Sequence, residues 1–191
     1  QLPDGVQRPI LRTSGLLTRS NKVMYNITTH SVFHSFLNKA ITKKDLQLKQ
    51  ASIVTTEWGA WKKAHPGTTV LIDELTLGRD FDFRNNRDAD GPIFPIGDFD
   101  PRLSYHDDIV GIVTASGKPV EFQRSKAYVA LKGGDDIIFE NVRLTLDRSG
   151  IKAFDENGND LGSQKAFWFA WSQCHHDTAL WPKSQKFTRR R

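Results

Sequence analysis

Apolar positions along this chain fall in short, interrupted runs, and the run lengths suit strands better than helices. Residues Arg8 to Thr13 and Lys22 to Phe36 read as strands, with Ser20-Asn21 and Thr28-Thr29 marking turns. Thr55 or Thr56 is placed to cap a short helix that ends near Ala64, where Pro66-Gly67 stops it, and Val70-Leu71-Ile72 restarts an extended run. From Glu74 to Tyr105 the chain is dense in Asp, Asn, Gly and Pro and carries no periodic signal. Strand patterns resume at Ile109 to Thr114, Val120 to Phe122, Ile137 to Phe139, Val142 to Leu146 and Ile151 to Phe154, with a hairpin signal at Asn157-Gly158. Ala166 to Trp171 is apolar almost all round and reads as a buried helix. The pattern predicts a β-rich α+β fold with mixed sheets and short Trp-bearing helices.

Superimposed on these elements is a repeated template. Trp58, Trp61, His65 and Thr68 recur as Trp168, Trp171, His175 and Thr178, each 110 positions later. Ala60 and Ala170 also match, and Val70 is answered by Leu180. Such a spacing is too long for a solenoid and suits a domain-sized unit used twice. The expected organisation is a first half over residues 1–73, a connecting loop over 74–105, a second half over 106–182 and a basic tail over 183–191.

Composition narrows the classes of function. The formal net charge is +5, and Lys183, Lys186, Arg189, Arg190 and Arg191 account for that excess, so the body is near neutral and no nucleic-acid footprint is expected. No apolar run approaches the roughly 20 residues of a bilayer-spanning helix. Cys174 is the single cysteine, so the chain has no intrachain disulfide and no cysteine-rich zinc site.

Several constellations could carry chemistry. The Trp pairs share a helical face with the following His and read as packing pins first, or as aromatic platforms for a sugar, peptide or lipid. Cys174-His175-His176-Asp177 concentrates metal-ligand types, with His30, His34 and His106 able to contribute, but neighbouring side chains diverge and no metal is expected there. His106-Asp107-Asp108 holds an acid-base pair without a placed nucleophile. Asp80, Asp82, Asp88 and Asp90 lack the EF-hand offsets, and Asp155 to Asp160 reads as a hairpin turn. No cofactor-binding fingerprint is present, and no cofactor is expected. Because long loops on rigid scaffolds carry binding, Arg79, Asp80, Arg84, Arg87 and His106 are the candidate ligand contacts.

Thr13-Ser14-Gly15-Leu16-Leu17, Ser20-Asn21, Val23-Met24-Tyr25, Trp61-Lys62, His65-Pro66, Gly78-Arg79-Asp80-Phe81, Val110-Gly111 and Phe167-Trp168-Phe169-Ala170-Trp171 occur in this order. Together they resemble the bacterial and archaeal domain-of-unknown-function family 3179, from about Asp4 to Leu180. The resemblance implies a secreted or lipid-anchored extracytoplasmic protein built from two related halves, and it transfers no activity. Family members also carry a Tyr-Cys-Pro-x-Cys segment that this sequence does not contain, and Glu121-Phe122-Gln123 stands where Ala-Tyr-Pro is usual. The expected function is non-catalytic binding of a small molecule or protein outside the cytoplasm. The rival expectations are a remnant of a metal-dependent or redox enzyme, or a hydrolase using His106 with Asp107 or Asp108.

Overall fold

The computed structural model describes residues 10–37, 39–42, 48, 50–70, 95–148 and 150–182. Three sheets and three helices make up these residues, in a β-rich α+β arrangement. The first sheet is antiparallel, with β1 (Leu11–Thr18), β2 (Asn21–Asn26) and β3 (Val32–His34) in sequential order. Arg19 and Ser20 both have positive φ, the signature of a two-residue hairpin turn whose twist matches its strands. Helix α1 (Trp58–Ala64) follows, then β4 (Asp108–Val113), β5 (Pro119–Gln123) and α2 (Arg124–Gly133).

A second hairpin unit, β6 (Ile138–Phe139), β7 (Val142–Asp147) and β8 (Gly150–Phe154), forms its own antiparallel sheet. The described residues close with β9 (Gln164–Phe167), α3 (Trp168–Ser172) and β10 (Ala179–Trp181). These last strands complete a mixed sheet of order β10-β5-β4-β9, in which β10 runs parallel to β5 and the other pairs are antiparallel.

Side-chain alternation along β4 and β5 divides the interior in two. Val110, Ile112, Val120 and Phe122 face a cluster completed by Ala127 of α2 and by Val142, Leu144, Ile151 and Ala153 of the β7–β8 hairpin. The opposite face joins Ile109, Ala166 and Leu180 to Trp168 and Trp171 of α3. Gly111 makes the second cluster possible: a Cβ there would lie 2.5 Å from the Trp171 ring. Glycine is required at this point because the indole occupies the space of a side chain.

Several expectations need correction. The first strand spans Leu11–Thr18, beyond the expected end at Thr13, while Arg8 lies outside the described residues, and Lys22–Phe36 divides into β2 and β3 around the Ile27–Thr29 turn. Helix α1 begins at Trp58 with Glu57 as N-cap, and no side chain caps it. Ala166–Trp171 is not one helix: β9 runs to Phe167 because Ala166 pairs with Ile109, and the helix starts at Trp168. Helix α2 was not anticipated. Ala127, Tyr128, Ala130 and Leu131 are its apolar signal, and Gly134 ends it in the left-handed conformation that suits a C-terminal cap.

Candidate functional site

The two Trp motifs adopt the same local geometry. Trp61 Nε1 donates to Thr68 Oγ1 at 3.0 Å, and Trp171 Nε1 donates to Thr178 Oγ1 at 3.0 Å. His65 lies against Trp61 with ring centroids 4.2 Å apart, and His175 lies against Trp171 at 4.1 Å. In each, the His backbone N–H bonds the Trp carbonyl four residues earlier, the ordinary close of a helical turn. Their environments differ. Trp168 and Trp171 are fully buried, whereas Trp58 is 50% exposed and α1 has no buried residue. Packing therefore accounts for the second pair, and Trp61, expected in the core, is only partly buried.

The end of α3 meets the first sheet in a polar cluster. Asn21 Nδ2 donates to the Ala170 carbonyl at 2.8 Å and approaches Cys174 Sγ at 3.5 Å. His34, remote in sequence, brings Nε2 to 3.5 Å from the same sulfur. The Phe36 backbone N–H donates to His34 Nδ1 at 3.1 Å, so the neutral ring carries its proton on Nε2, toward the thiol. Burial pushes the Cys174 thiol up, against the Arg19 guanidinium and the Asn21 amide. Burial and the Arg19 charge hold His34 below the ordinary histidine range, and the Thr18 backbone opposes them. His175 is pushed down to about 4, by burial first and then by His34, His176 and Arg19. At neutral pH Cys174, His34 and His175 are themselves uncharged, a protonated thiol beside neutral imidazoles, with the Arg19 guanidinium the charge acting on them. Of the proposed metal-ligand contributors, His34 reaches Cys174 through its side chain, while His30 is exposed. Among the described residues, no three His, Cys, Asp or Glu side chains are arranged to hold a metal ion.

His106 sits elsewhere, at the junction of β4 and β9. Backbone bonds from Trp168 N–H to the Asp107 carbonyl (2.9 Å) and from Phe169 N–H to the Tyr105 carbonyl (3.0 Å) fasten residues 105–107 to 167–169. This places the His106 ring against Tyr105 (4.4 Å), Phe167 (5.3 Å) and Phe169 (5.9 Å), with Phe167 and Phe169 stacked on each other. Phe167 is 42% exposed, so the group forms an aromatic shelf open to solvent. Beside it lies an open cleft of about 300 Å3 lined by Asp107, Asp108, Gln123, Ser125 and Lys126. Asp107 Oδ2 accepts the Ser104 backbone N–H at 3.2 Å, and Asp108 Oδ2 is held by Lys165 at 3.1 Å and Arg124 at 3.5 Å. Both carboxylates thus have structural partners. A second cleft of about 280 Å3 holds Glu140 and Asp155, but Lys118 pairs with the first at 2.6 Å and the Asn157 and Asn159 N–H groups bond the second.

Glu121 is fully buried, and neither carboxyl oxygen has a hydrogen bond of good geometry. It lies in β5 between Gly111 of β4 and Leu180 of β10, on the Trp171 side of the sheet. Burial raises its pKa to about 8. The neighbouring Asp107 charge adds to the rise, and the Trp181 backbone N–H, Arg102 and Lys126 oppose it. Glu121 is consequently a neutral acid at pH 7.

Arg79, Asp80, Arg84 and Arg87 lie outside the described residues, as do Asp82, Asp88 and Asp90. Sequence reasoning met Glu121, Asn21, Phe167 and Phe169 only as parts of, or departures from, the family pattern and gave none of them a site role. The one available signal was Glu121 itself, a charge set between Val120 and Phe122 in a strand pattern.

Residues 4–155 match the family described as protein of unknown function (DUF3179), and the chain belongs to that family. No curated protein and no solved structure matches it. No helix among the described residues is long and apolar enough to cross a membrane.

Proposed function

We propose that this member of the DUF3179 family is a non-catalytic extracytoplasmic domain. Its ligand, in this reading, is a small hydroxylated molecule of the sugar class that rests on the His106 shelf. The observation that carries the reading is the pairing of an aromatic surface (Tyr105, His106, Phe167 and Phe169) with a polar cleft beside it. An aromatic face covers the C–H face of a sugar ring, while carboxylate, amide, hydroxyl and ammonium groups satisfy its hydroxyls. Asp107, Gln123, Ser125 and Lys126 supply that set. Arg79, Asp80, Arg84 and Arg87 are proposed to add contacts from the connecting loop.

Binding is favoured over catalysis by the state of the reactive groups. A nucleophilic cysteine needs a lowered pKa and an activating base. Cys174 has a raised pKa, and His34 presents a proton to the sulfur rather than a lone pair. Localisation outside the cytoplasm rests on the family resemblance and is tested by fractionating the source cells.

The binding test is saturation-transfer NMR with a panel of neutral mono- and disaccharides. Signal is expected for at least one sugar and is expected to be lost in His106→Ala and Phe167→Ala proteins that retain their melting temperature. No signal across the panel, or signal indifferent to both substitutions, overturns the reading.

A further inference from the structure

The β1–β2 hairpin echoes the β4–β5 hairpin. Gly15, Thr18, Ser20 and Lys22 stand 96 positions before Gly111, Thr114, Ser116 and Lys118. In the later hairpin, antiparallel β9 fills the outer edge of β4, from Gly111 opposite Gln164 to Asp108 opposite Phe167. In the earlier one β1 is an edge strand, and among the described residues β2 alone pairs with it. An edge strand presents unpaired backbone donors and acceptors that another extended chain can meet.

The side chains around this edge indicate its occupant. Leu16 is 66% exposed, Leu17 60% and Ile10, just before the strand, 47%. From Ile10 to Thr42 the sequence contains no Asp or Glu, while Arg12, Arg19, Lys22 and Lys39 are exposed. We propose that the outer edge of β1, which no described strand fills, accepts an extended acidic segment of a partner protein, added antiparallel as a fourth strand beside Leu11–Thr18. Main-chain hydrogen bonds supply the attachment, the apolar side chains of the added strand pack on the Leu16 face, and its carboxylates lie on the other face, where Lys22 stands opposite Leu17.

Charge disfavours a second copy of this chain, since β1 against β1 would bring two cationic, acid-free edges together. A membrane surface fits poorly as well. Leu16 and Leu17 are consecutive in a strand and point to opposite faces of the sheet, so they offer no single apolar plane. A bulge between Thr13 and Leu17, with Gly15 at positive φ, interrupts the edge and limits unselective pairing.

The test uses the full chain and two labelled peptides of eight residues, the length of β1. One alternates Val with Glu and the other Val with Lys. Fluorescence anisotropy is expected to show binding of the Val-Glu peptide, with slowed hydrogen exchange confined to β1. The Arg12→Glu, Lys22→Glu protein is expected to lose about tenfold or more in affinity for it and to gain binding of the Val-Lys peptide. That exchange of preference keeps the test independent of any general damage to the fold. The proposal is overturned if the peptides bind alike, or if protection appears away from β1. It is equally overturned if the protein dimerises with β1 protected in the absence of peptide. Binding to vesicles containing anionic lipid but to neither peptide also overturns it.

Discussion

Raising the pH should destabilise this protein through one residue. Glu121 is fully buried without a hydrogen bond of good geometry to either oxygen, and its pKa stands at about 8 against an ordinary value of 4.5. Between those values the native state keeps a proton that the unfolded chain has released. Stability from this group is therefore fully present below about pH 4.5 and declines as pH rises, until the loss is complete above about pH 8. At about 1.36 kcal/mol per unit, the whole shift amounts to about 5 kcal/mol, and the part lost between pH 5 and pH 7 is about 2.5 kcal/mol. For a chain of this size that is a fall of roughly 5–10 °C in melting temperature. Glu121→Gln keeps the shape of the side chain and titrates nothing, so it is the proper reference. Urea unfolding followed by Trp fluorescence, for both proteins at half-unit steps of pH, isolates the Glu121 contribution as the difference between the two curves. The wild type should lose ground to the variant steadily across this window. A flat difference, or one that favours the wild type as pH rises, refutes the buried neutral acid.

Three further outcomes are expected. Gly111→Ala places a Cβ against the Trp171 ring and should cost about 3 kcal/mol in equilibrium unfolding; a neutral result would show that the ring moves aside freely. Trp171→Ala should cost about 3–5 kcal/mol, whereas Trp58→Ala, at a half-exposed position, should stay within about 0.5 kcal/mol, and thermal melts of both decide whether the two motifs differ as their burial says. His175 has its pKa lowered to about 4, so the stability it contributes is present above pH 6.5 and lost as pH falls toward 4; His175→Phe, which keeps a ring against Trp171, should flatten that acid limb, and an unchanged acid limb would place the sensitivity elsewhere.

Glu121 and His175 thus act in opposite directions, one weakening the fold as pH rises and the other as it falls. Stability from the pair has its optimum between, near the middle of their overlapping windows. Neither group resembles a general acid or base in contact with substrate, because both are packed against the core that surrounds Trp171.

What could be read from the sequence is what depends on near neighbours in the chain. The Trp motif is the clearest example. Its helix, its Trp-to-Thr hydrogen bond and its stacked His all form among residues within ten positions, so the same letters produce the same geometry twice. The turn at Thr28-Thr29, the strand over Ile109–Val113 and the β-rich class follow from equally local signals. Burial obeys another rule. Trp168 and Trp171 are buried because β4 offers a glycine and β9 delivers the helix onto the sheet, while Trp58, at the matching place of the first motif, remains half exposed. The approach of His34 to Cys174, the shelf around His106 and the isolation of Glu121 arise likewise from strand pairings between distant segments. Period-two alternation states that Glu121 faces away from Val120 and Phe122, but only the placement of β10 and α3 decides that this face is dry. Conformation was legible where the contacts are local; the electrostatic character of each site came from neighbours that folding alone assembles.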